Sequence, residues 1–170
     1  MLNNSTKKIA RAGIIGALYV LLSLLTLPVA SGAIQFRASE LLTILPLLFP
    51  EAVPALFIGC MLSNLLTGCA LLDVVLGSAV TLVAGILTFL CGKVFKRTVL
   101  KIIFGGFFPT VLNAFILPLI WVLCYGAPEY VYIVQSAILL VSQSVVIYAL
   151  GTPTYLGIKK MRDDGISFLT

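Results

Sequence analysis

The sequence predicts an all-α polytopic membrane protein, a bundle of six transmembrane helices with both termini in the cytoplasm. Of its 170 residues, 61% are hydrophobic and only 10% are charged, and the mean hydropathy is +1.16. No water-soluble domain of this size has that balance. The apolar runs are continuous rather than alternating, which favours helices over membrane strands. Six spans of about 20 residues would use most of the length, so we expect a single transmembrane domain over residues 1–170.

The basic residues predict how these helices are oriented. We expect helices at about 9–27, 35–49, 51–66, 72–91, 103–125 and 129–158. With this partition, all of the 11 lysine and arginine residues except Arg37 fall on one face. Lysine and arginine are enriched in cytoplasmic loops, so that face is the cytoplasmic one. A partition into five spans would divide the basic clusters between the two sides.

Polar side chains inside the predicted spans mark a candidate pocket. An ionisable group within a membrane segment costs about 2.5–3.5 kcal/mol, so such groups usually line a binding site or a pathway. With about 1.5 Å of rise per residue, most of these side chains fall in the outer half of the membrane, as expected for solute capture from outside. The predicted pocket residues are Gln35, Arg37, Glu40, Asn64, Asp73, Asn113, Trp121, Gln135 and Gln143.

Each of these residues also has a purely structural interpretation. Arg37 and Glu40 are three residues apart on one helix face, a spacing that allows them to pair. Asp73 opens the fourth helix, where a carboxylate suits the helix dipole. The amide side chains would join helices by hydrogen bonds, and Trp121 fits an interfacial aromatic belt. These interpretations leave the bias toward the outer half unexplained.

Two other segments carry patterns of their own. Small residues four positions apart on the first helix let another helix approach closely, either a partner's or one of this chain. They are Ala12, Gly13, Gly16 and Ala17. The corner between the second and third helices carries three prolines within Pro46–Pro54, together with Glu51. We expect this corner at the inner face, where it would shape the bundle or couple it to a partner rather than contact the ligand.

Several classes of function lack their motifs. The chain has no histidine and no CxxC pair, so the usual metal and redox spacings are absent. It also lacks GxxxxGK[ST], so we expect no ATP site and no other cofactor. With no nucleophile–base pair it is not expected to be an enzyme. Its basic residues flank helices, which argues against a nucleic-acid partner. Cys69 and Cys124 both fall near the outer face, where a disulfide is possible.

Two runs of the sequence resemble the QueT family. They are IQFRASELLTILPLLFPEAVPALFIGC, over 34–60, and GCALLDVVLGSAVTLVAG, over 68–85. The family comprises substrate-binding S components of energy-coupling factor transporters in prokaryotic plasma membranes, assigned to uptake of queuosine precursors. The resemblance covers nearly the whole chain. It implies a six-helix bundle, an outward-facing pocket, and a lid from the loop over Pro28–Ile34.

The resemblance also implies partners and a ligand. The partners would be a transmembrane coupling subunit, onto which small residues of the first helix dock, and two ATPase subunits that alone use ATP. The ligand would be a 7-deazaguanine, whose two adjacent N–H donors suit Glu40 and whose side-chain amine suits Asp73. The remaining edges would be read by Asn64, Asn113, Gln135 and Gln143. The ring would stack on Phe36, Trp121 or Tyr125. A stand-alone facilitator or channel, or an S component for another vitamin-like solute, is the alternative.

Overall fold

The computed structural model describes residues 3–30, 36–126, 129–166 and 168–169, and within these ranges the chain forms helices and turns without a strand. The helices are α1 (Asn4–Leu25), α2 (Leu27–Ala30), a 3-10 helix (Ala38–Leu47), α3 (Ala52–Leu66), α4 (Leu71–Val94), α5 (Thr98–Tyr125), α6 (Glu129–Ser144), a π-helical segment (Val145–Gly151) and α7 (Thr152–Asp163). Two helices begin earlier than predicted, α1 before Ile9 and α5 before Ile103. The basic connector ahead of α5 is correspondingly short.

Helix length and composition confirm a multi-pass helical membrane protein. Among the described residues, the helices long and apolar enough to cross a membrane are Asn4–Leu25, Leu71–Val94, Thr98–Leu123 and Val131–Asp163. The helices Ala38–Leu47 and Ala52–Leu66 are apolar but shorter. At about 2.0 Å of rise per residue the 3-10 helix extends roughly 20 Å, less than a bilayer core of about 30 Å. The count of six spans stays a prediction.

The 3-10 helix lies at the centre of the bundle. Around it, α-helices pack in chain order, α1 on α3, α3 on α4, α4 on α5 and α5 on α6. The 3-10 helix contacts α1, α3, α4, α5, α7 and the π-helical segment. Apolar side chains such as Leu21, Leu72 and Ile133 cover the outer surface. Large exposed apolar areas are rare in soluble monomers, and here they suit contact with lipid.

The central segment differs from the α-helix that we predicted over 35–49. Pro46 lies inside it and has no N–H to donate, so a regular α-helical ladder is interrupted there. The Thr43 hydroxyl donates to the backbone carbonyl of Glu40 at 2.6 Å, across one tight turn. Runs of 3-10 helix beyond three or four residues are uncommon. Glu40 therefore lies on an unusual element, most of whose residues are buried.

Proline also exposes a carbonyl in α5, and a neighbouring helix satisfies it. Pro109 cannot donate to the carbonyl of Gly105, four residues earlier. The Thr88 hydroxyl of α4 donates to that carbonyl at 2.8 Å. In a membrane every backbone polar group needs such a partner, because no water is present to provide one. This hydrogen bond between helices accounts for the polar Thr88. The helix α5 continues through the proline.

An ion pair fastens α1 to the start of α3 at the proline corner. The Arg11 Nε lies 2.7 Å from Glu51 Oε1, and the guanidinium sits 4.9 Å from the centre of the Phe49 ring. The Arg11 Nη1 also donates to the carbonyl of Phe168 at 3.0 Å. Leu169 packs against the core cluster, the buried apolar side chains that α1, the 3-10 helix and α3 share. The C-terminal turn therefore folds back onto α1 and covers this pair.

Candidate functional site

A polar cavity of about 420 Å³ opens between the 3-10 helix, the end of α3, the start of α4, α5 and α6. All the predicted pocket residues except Gln35 line it, namely Arg37, Glu40, Asn64, Asp73, Asn113, Trp121, Gln135 and Gln143. Gln35 lies outside the described residues. Cavities that hold small molecules have volumes of about 300–1,000 Å³. The structure thus brings residues from five helical segments to one site of suitable size.

Glu40 is the most enclosed charged group of the cavity, with 2% of its surface exposed. The Tyr19 hydroxyl donates to its Oε1 at 2.6 Å, and the Asn113 Nδ2 donates to its Oε2 at 3.0 Å. A carboxylate has about four lone-pair sites, so two remain for a ligand. The two protein donors fix the plane of the carboxylate between α1 and α5 without using all of its accepting capacity.

Arg37 does not pair with Glu40. Its Nη2 donates instead to the Asn64 Oδ1 at 2.7 Å. No arginine–carboxylate pair within 4.0 Å involves Arg37 among the described residues. The Asn64 Nδ2 in turn lies 3.7 Å from the Cys60 Sγ, which also accepts from the Thr81 hydroxyl at 3.3 Å. A chain of neutral groups thus positions the guanidinium without a direct ion pair.

Asp73 lines the cavity beside an aromatic neighbour. It lies in the first turn of α4, as the sequence predicts, and its carboxylate interacts with the Trp121 indole and the Cys69 thiol. Gly77 lies one turn further along α4, and a Cβ added there would approach both Asn64 and Asp73, at 3.4 and 3.5 Å. The absent side chain keeps the space between these two polar groups open.

Two glutamine side chains of α6 bring unused acceptors to the cavity. The Oε1 atoms of Gln135 and Gln143 are buried and have no hydrogen-bond partner among the described residues. An unsatisfied buried acceptor costs about 1–3 kcal/mol, and it commonly indicates a missing partner. A ligand N–H would satisfy each of them.

The charges of the cavity are unbalanced. Its lining carries two carboxylates, Glu40 and Asp73, and one guanidinium, Arg37. The glutamine oxygens add further acceptors to this set. Buried charge is stable only when it is paired, so the site favours a ligand that brings positive charge and several N–H donors.

The four small residues of α1 fall on two faces. Ala12 packs on the core cluster, and a Cβ added at Gly16 would lie 3.3 Å from the Ala55 carbonyl of α3. Gly13 and Ala17 are exposed, and an added Cβ at Gly13 would meet nothing within 4 Å. The Ala12/Gly16 register therefore serves contact within this chain, and only the Gly13/Ala17 register is open to another protein.

Our sequence prediction missed Tyr19, Cys60 and Thr81. Each lies in an apolar stretch and looks like ordinary helix packing. The signal for Tyr19 was available, because Tyr19, Ser23 and Thr26 have the spacing of one helix face. No sequence signal pointed to Cys60 or Thr81.

Other predicted contacts fall elsewhere. Phe36 lines a separate apolar crevice of about 520 Å³ beside α6, so it does not face the polar cavity. The side chains of Tyr125 and Cys124 and the loop residues 31–34 lie outside the described part of the chain. Cys69 is a free thiol.

Comparison with known proteins gives one finding. A model of the QueT transporter family matches residues 9–160, most of the chain, which confirms the resemblance seen in the sequence. No curated protein and no solved structure matches the chain.

Proposed function

The chain belongs to the QueT transporter family, and we propose that it is the substrate-capture (S) component of an energy-coupling factor importer for a queuosine precursor. It would bind a 7-deazaguanine derivative or its nucleoside with high affinity at the outer face of a prokaryotic plasma membrane. The observation that carries this proposal is the acceptor-rich cavity around Glu40 and Asp73, which needs a ligand with several N–H donors.

The proposed orientation has six spans and both termini in the cytoplasm. This orientation is supported by the distribution of the 11 lysine and arginine residues. In the predicted six-span partition, only Arg37 falls on the face where the cavity lies. The two short apolar helices would complete the six spans. In this orientation the cavity faces outward, and the Arg11–Glu51 pair lies near the cytoplasm.

Each functional group of a 7-deazaguanine has a complementary side chain in the cavity. Its two adjacent N–H donors would meet the free lone pairs of Glu40, whose carboxylate plane Tyr19 and Asn113 already hold. Its carbonyl would accept from Arg37. A side-chain amine would lie beside Asp73, and the ring would stack on Trp121, a contact worth about 1–3 kcal/mol.

The partners that we propose are a transmembrane coupling subunit and two ATPase subunits. This chain has no phosphate-binding GxxxxGK[ST] loop, so energy from ATP would reach it only through them. Gly13 and Ala17 offer an exposed small-residue face on α1 that suits close approach of a partner helix.

Direct binding tests the substrate. The purified chain is titrated in detergent with 7-aminomethyl-7-deazaguanine, queuine, queuosine and riboflavin. We expect one of the three deazaguanine compounds to bind at submicromolar concentration and riboflavin not to bind. Tighter binding of riboflavin would favour another vitamin-like solute. Uptake by the chain alone in liposomes would favour a stand-alone facilitator.

Co-purification tests the partners. We expect Ala17→Leu to leave ligand binding intact and to lose the coupling subunit, because the new side chain projects from the exposed face of α1. Gly16→Leu is the comparison, since it lies against Ala55 and should instead destabilise the chain itself. Retention of the complex by Ala17→Leu would remove this face from docking.

A further inference from the structure

The Glu40 carboxylate of the cavity wall accepts one of its hydrogen bonds from a helix that does not line the cavity. No residue of α1 belongs to the described cavity wall. The Tyr19 hydroxyl of α1 nevertheless donates to the Glu40 Oε1 at 2.6 Å. The Tyr19 side chain is completely buried. Charge-assisted O–H···O⁻ bonds of this length are about twice as strong as neutral hydrogen bonds, and they weaken steeply when their angle is distorted.

Two weaker bonds join the same two elements beside this one. The Ser23 hydroxyl donates to the Ser39 hydroxyl at 2.8 Å, and the Ala38 backbone N–H donates to the Thr26 hydroxyl at 3.4 Å. Tyr19 and Ser23 of α1 and Thr26, its C-cap residue, lie on one helix face. The first turn of the 3-10 helix is thus attached to α1, and a displacement of α1 is transmitted to it.

We propose that Tyr19 is a positioning residue that makes ligand affinity depend on where α1 lies. The inference rests on the proposed function, because it concerns the same cavity. When α1 is in place, Tyr19 and Asn113 hold the Glu40 carboxylate in one plane, ready for the ligand. When α1 moves outward, the Tyr19 bond lengthens and that arrangement is lost. Preorganisation of this kind raises affinity because the ligand need not order the group itself.

The position of α1 also matters for its exposed face. Gly13 and Ala17 lie on the same rigid helix as Tyr19, within two turns of it. A protein that docks on this face and displaces α1 would therefore weaken ligand binding through Tyr19. By linkage, bound ligand would oppose that displacement by the same factor.

Gly59 of α3 offers a way to move α1 without any partner. A Cβ added there would lie 3.0 Å from the Tyr19 Cβ and 3.1 Å from the Gly16 carbonyl. In Gly59→Ala these α1 atoms must therefore shift slightly away from α3 at the level of Tyr19. Gly85→Ala is the matched control, because its Cβ would meet only Val53 atoms at 3.6 Å or more, an ordinary contact.

The test is a double-mutant cycle with Tyr19→Phe and Gly59→Ala, read as the Kd of 7-aminomethyl-7-deazaguanine by calorimetry. We expect each single variant to weaken binding about tenfold, a change of about 1.4 kcal/mol. We expect the double variant to bind no more weakly than Tyr19→Phe alone, since the link is already gone. Tyr148→Phe, which removes a 2.8 Å bond to the Ile103 carbonyl outside the cavity, should leave Kd unchanged.

The outcomes separate this inference from the proposed function. The role of Tyr19 would be overturned if the fold-changes in Kd of Tyr19→Phe and Gly59→Ala multiply in the double variant. It would also be overturned if Tyr19→Phe binds as tightly as Tyr148→Phe. The proposed function would stand in both cases. No binding by the unmodified chain would overturn both. If Gly59→Ala does not fold, Gly16→Ala makes a smaller displacement of the same helix pair, with its Cβ 3.3 Å from the Ala55 carbonyl.

Discussion

An arginine and a glutamate lie near each end of α3, and the two sets differ in how their charges are paired. At its start, Arg11 and Glu51 form a direct ion pair at 2.7 Å, with 6% and 10% of their side chains exposed. Near its end, Arg37 binds the Asn64 amide, while Glu40 accepts from a tyrosine and an asparagine. The residue types are the same, but only the first pair is closed, that is, joined by a direct ion contact. The second oxygen of Glu51 is buried without a hydrogen-bond partner among the described residues.

This difference separates a structural pair from a candidate binding site. In a closed pair each charge neutralises the other, and an incoming ligand would have to break that interaction. In the cavity, neutral side chains orient Arg37 and Glu40 but leave their charges available. The sequence spacing of three residues would have allowed Arg37 and Glu40 to pair, and the tertiary structure provides each with a different partner.

The largest expected effect comes from breaking the closed pair. Arg11→Met leaves the Glu51 carboxylate buried without its partner, and removal of one partner from a buried pair costs about 3–5 kcal/mol of unfolding free energy. Thermal unfolding in detergent measures the loss. Arg162→Met is the matched control, because its 3.9 Å contact with Asp163 is exposed and worth at most about 1 kcal/mol. Equal melting temperatures for the two variants would contradict a structural role for Arg11.

The next effect contrasts the two glutamates directly. Glu40→Gln should weaken binding of a 7-deazaguanine at least tenfold, about 1.4 kcal/mol, because the ligand N–H donors lose a charged acceptor. Glu51→Gln should lower the melting temperature and change the affinity of the folded fraction much less than Glu40→Gln does. Calorimetric titration and thermal unfolding of both variants make the test. The comparison fails if Glu40→Gln retains full affinity or if Glu51→Gln reduces it by as much.

The smallest expected effect concerns the charge of the ligand. Asp73→Asn removes one of the two cavity carboxylates and balances the remaining charges, so a cationic ligand should lose affinity several-fold. The neutral 7-cyano-7-deazaguanine should be little affected. The ratio of the two Kd values, measured for both proteins, reports this selectivity. A parallel loss for both ligands would assign Asp73 to positioning of Trp121 and the cavity wall instead.

Much of the cavity could be predicted because intramembrane polar groups are costly and therefore few. Arg37, Asn113 and Gln143 come from distant parts of the chain, and each was conspicuous against an apolar background. Tyr19 was less conspicuous, since a tyrosine in an apolar helix is ordinary and its only signal was the helix face that it shares with Ser23 and Thr26. Its importance depends on Glu40, which lies 21 residues away and meets it only after α1 and the 3-10 helix pack.

The sequence by itself determined the membrane class, the helical architecture, the family and the candidate cavity residues. These follow from local hydropathy, from the rarity of charge in apolar segments and from long matching runs. Only the tertiary structure decided which charges pair, which face of α1 is free, and that the segment after Arg37 is a 3-10 helix. Partners and exposure depend on atoms that lie far apart in the chain, and spacing along one helix does not reveal which neighbour packs against it.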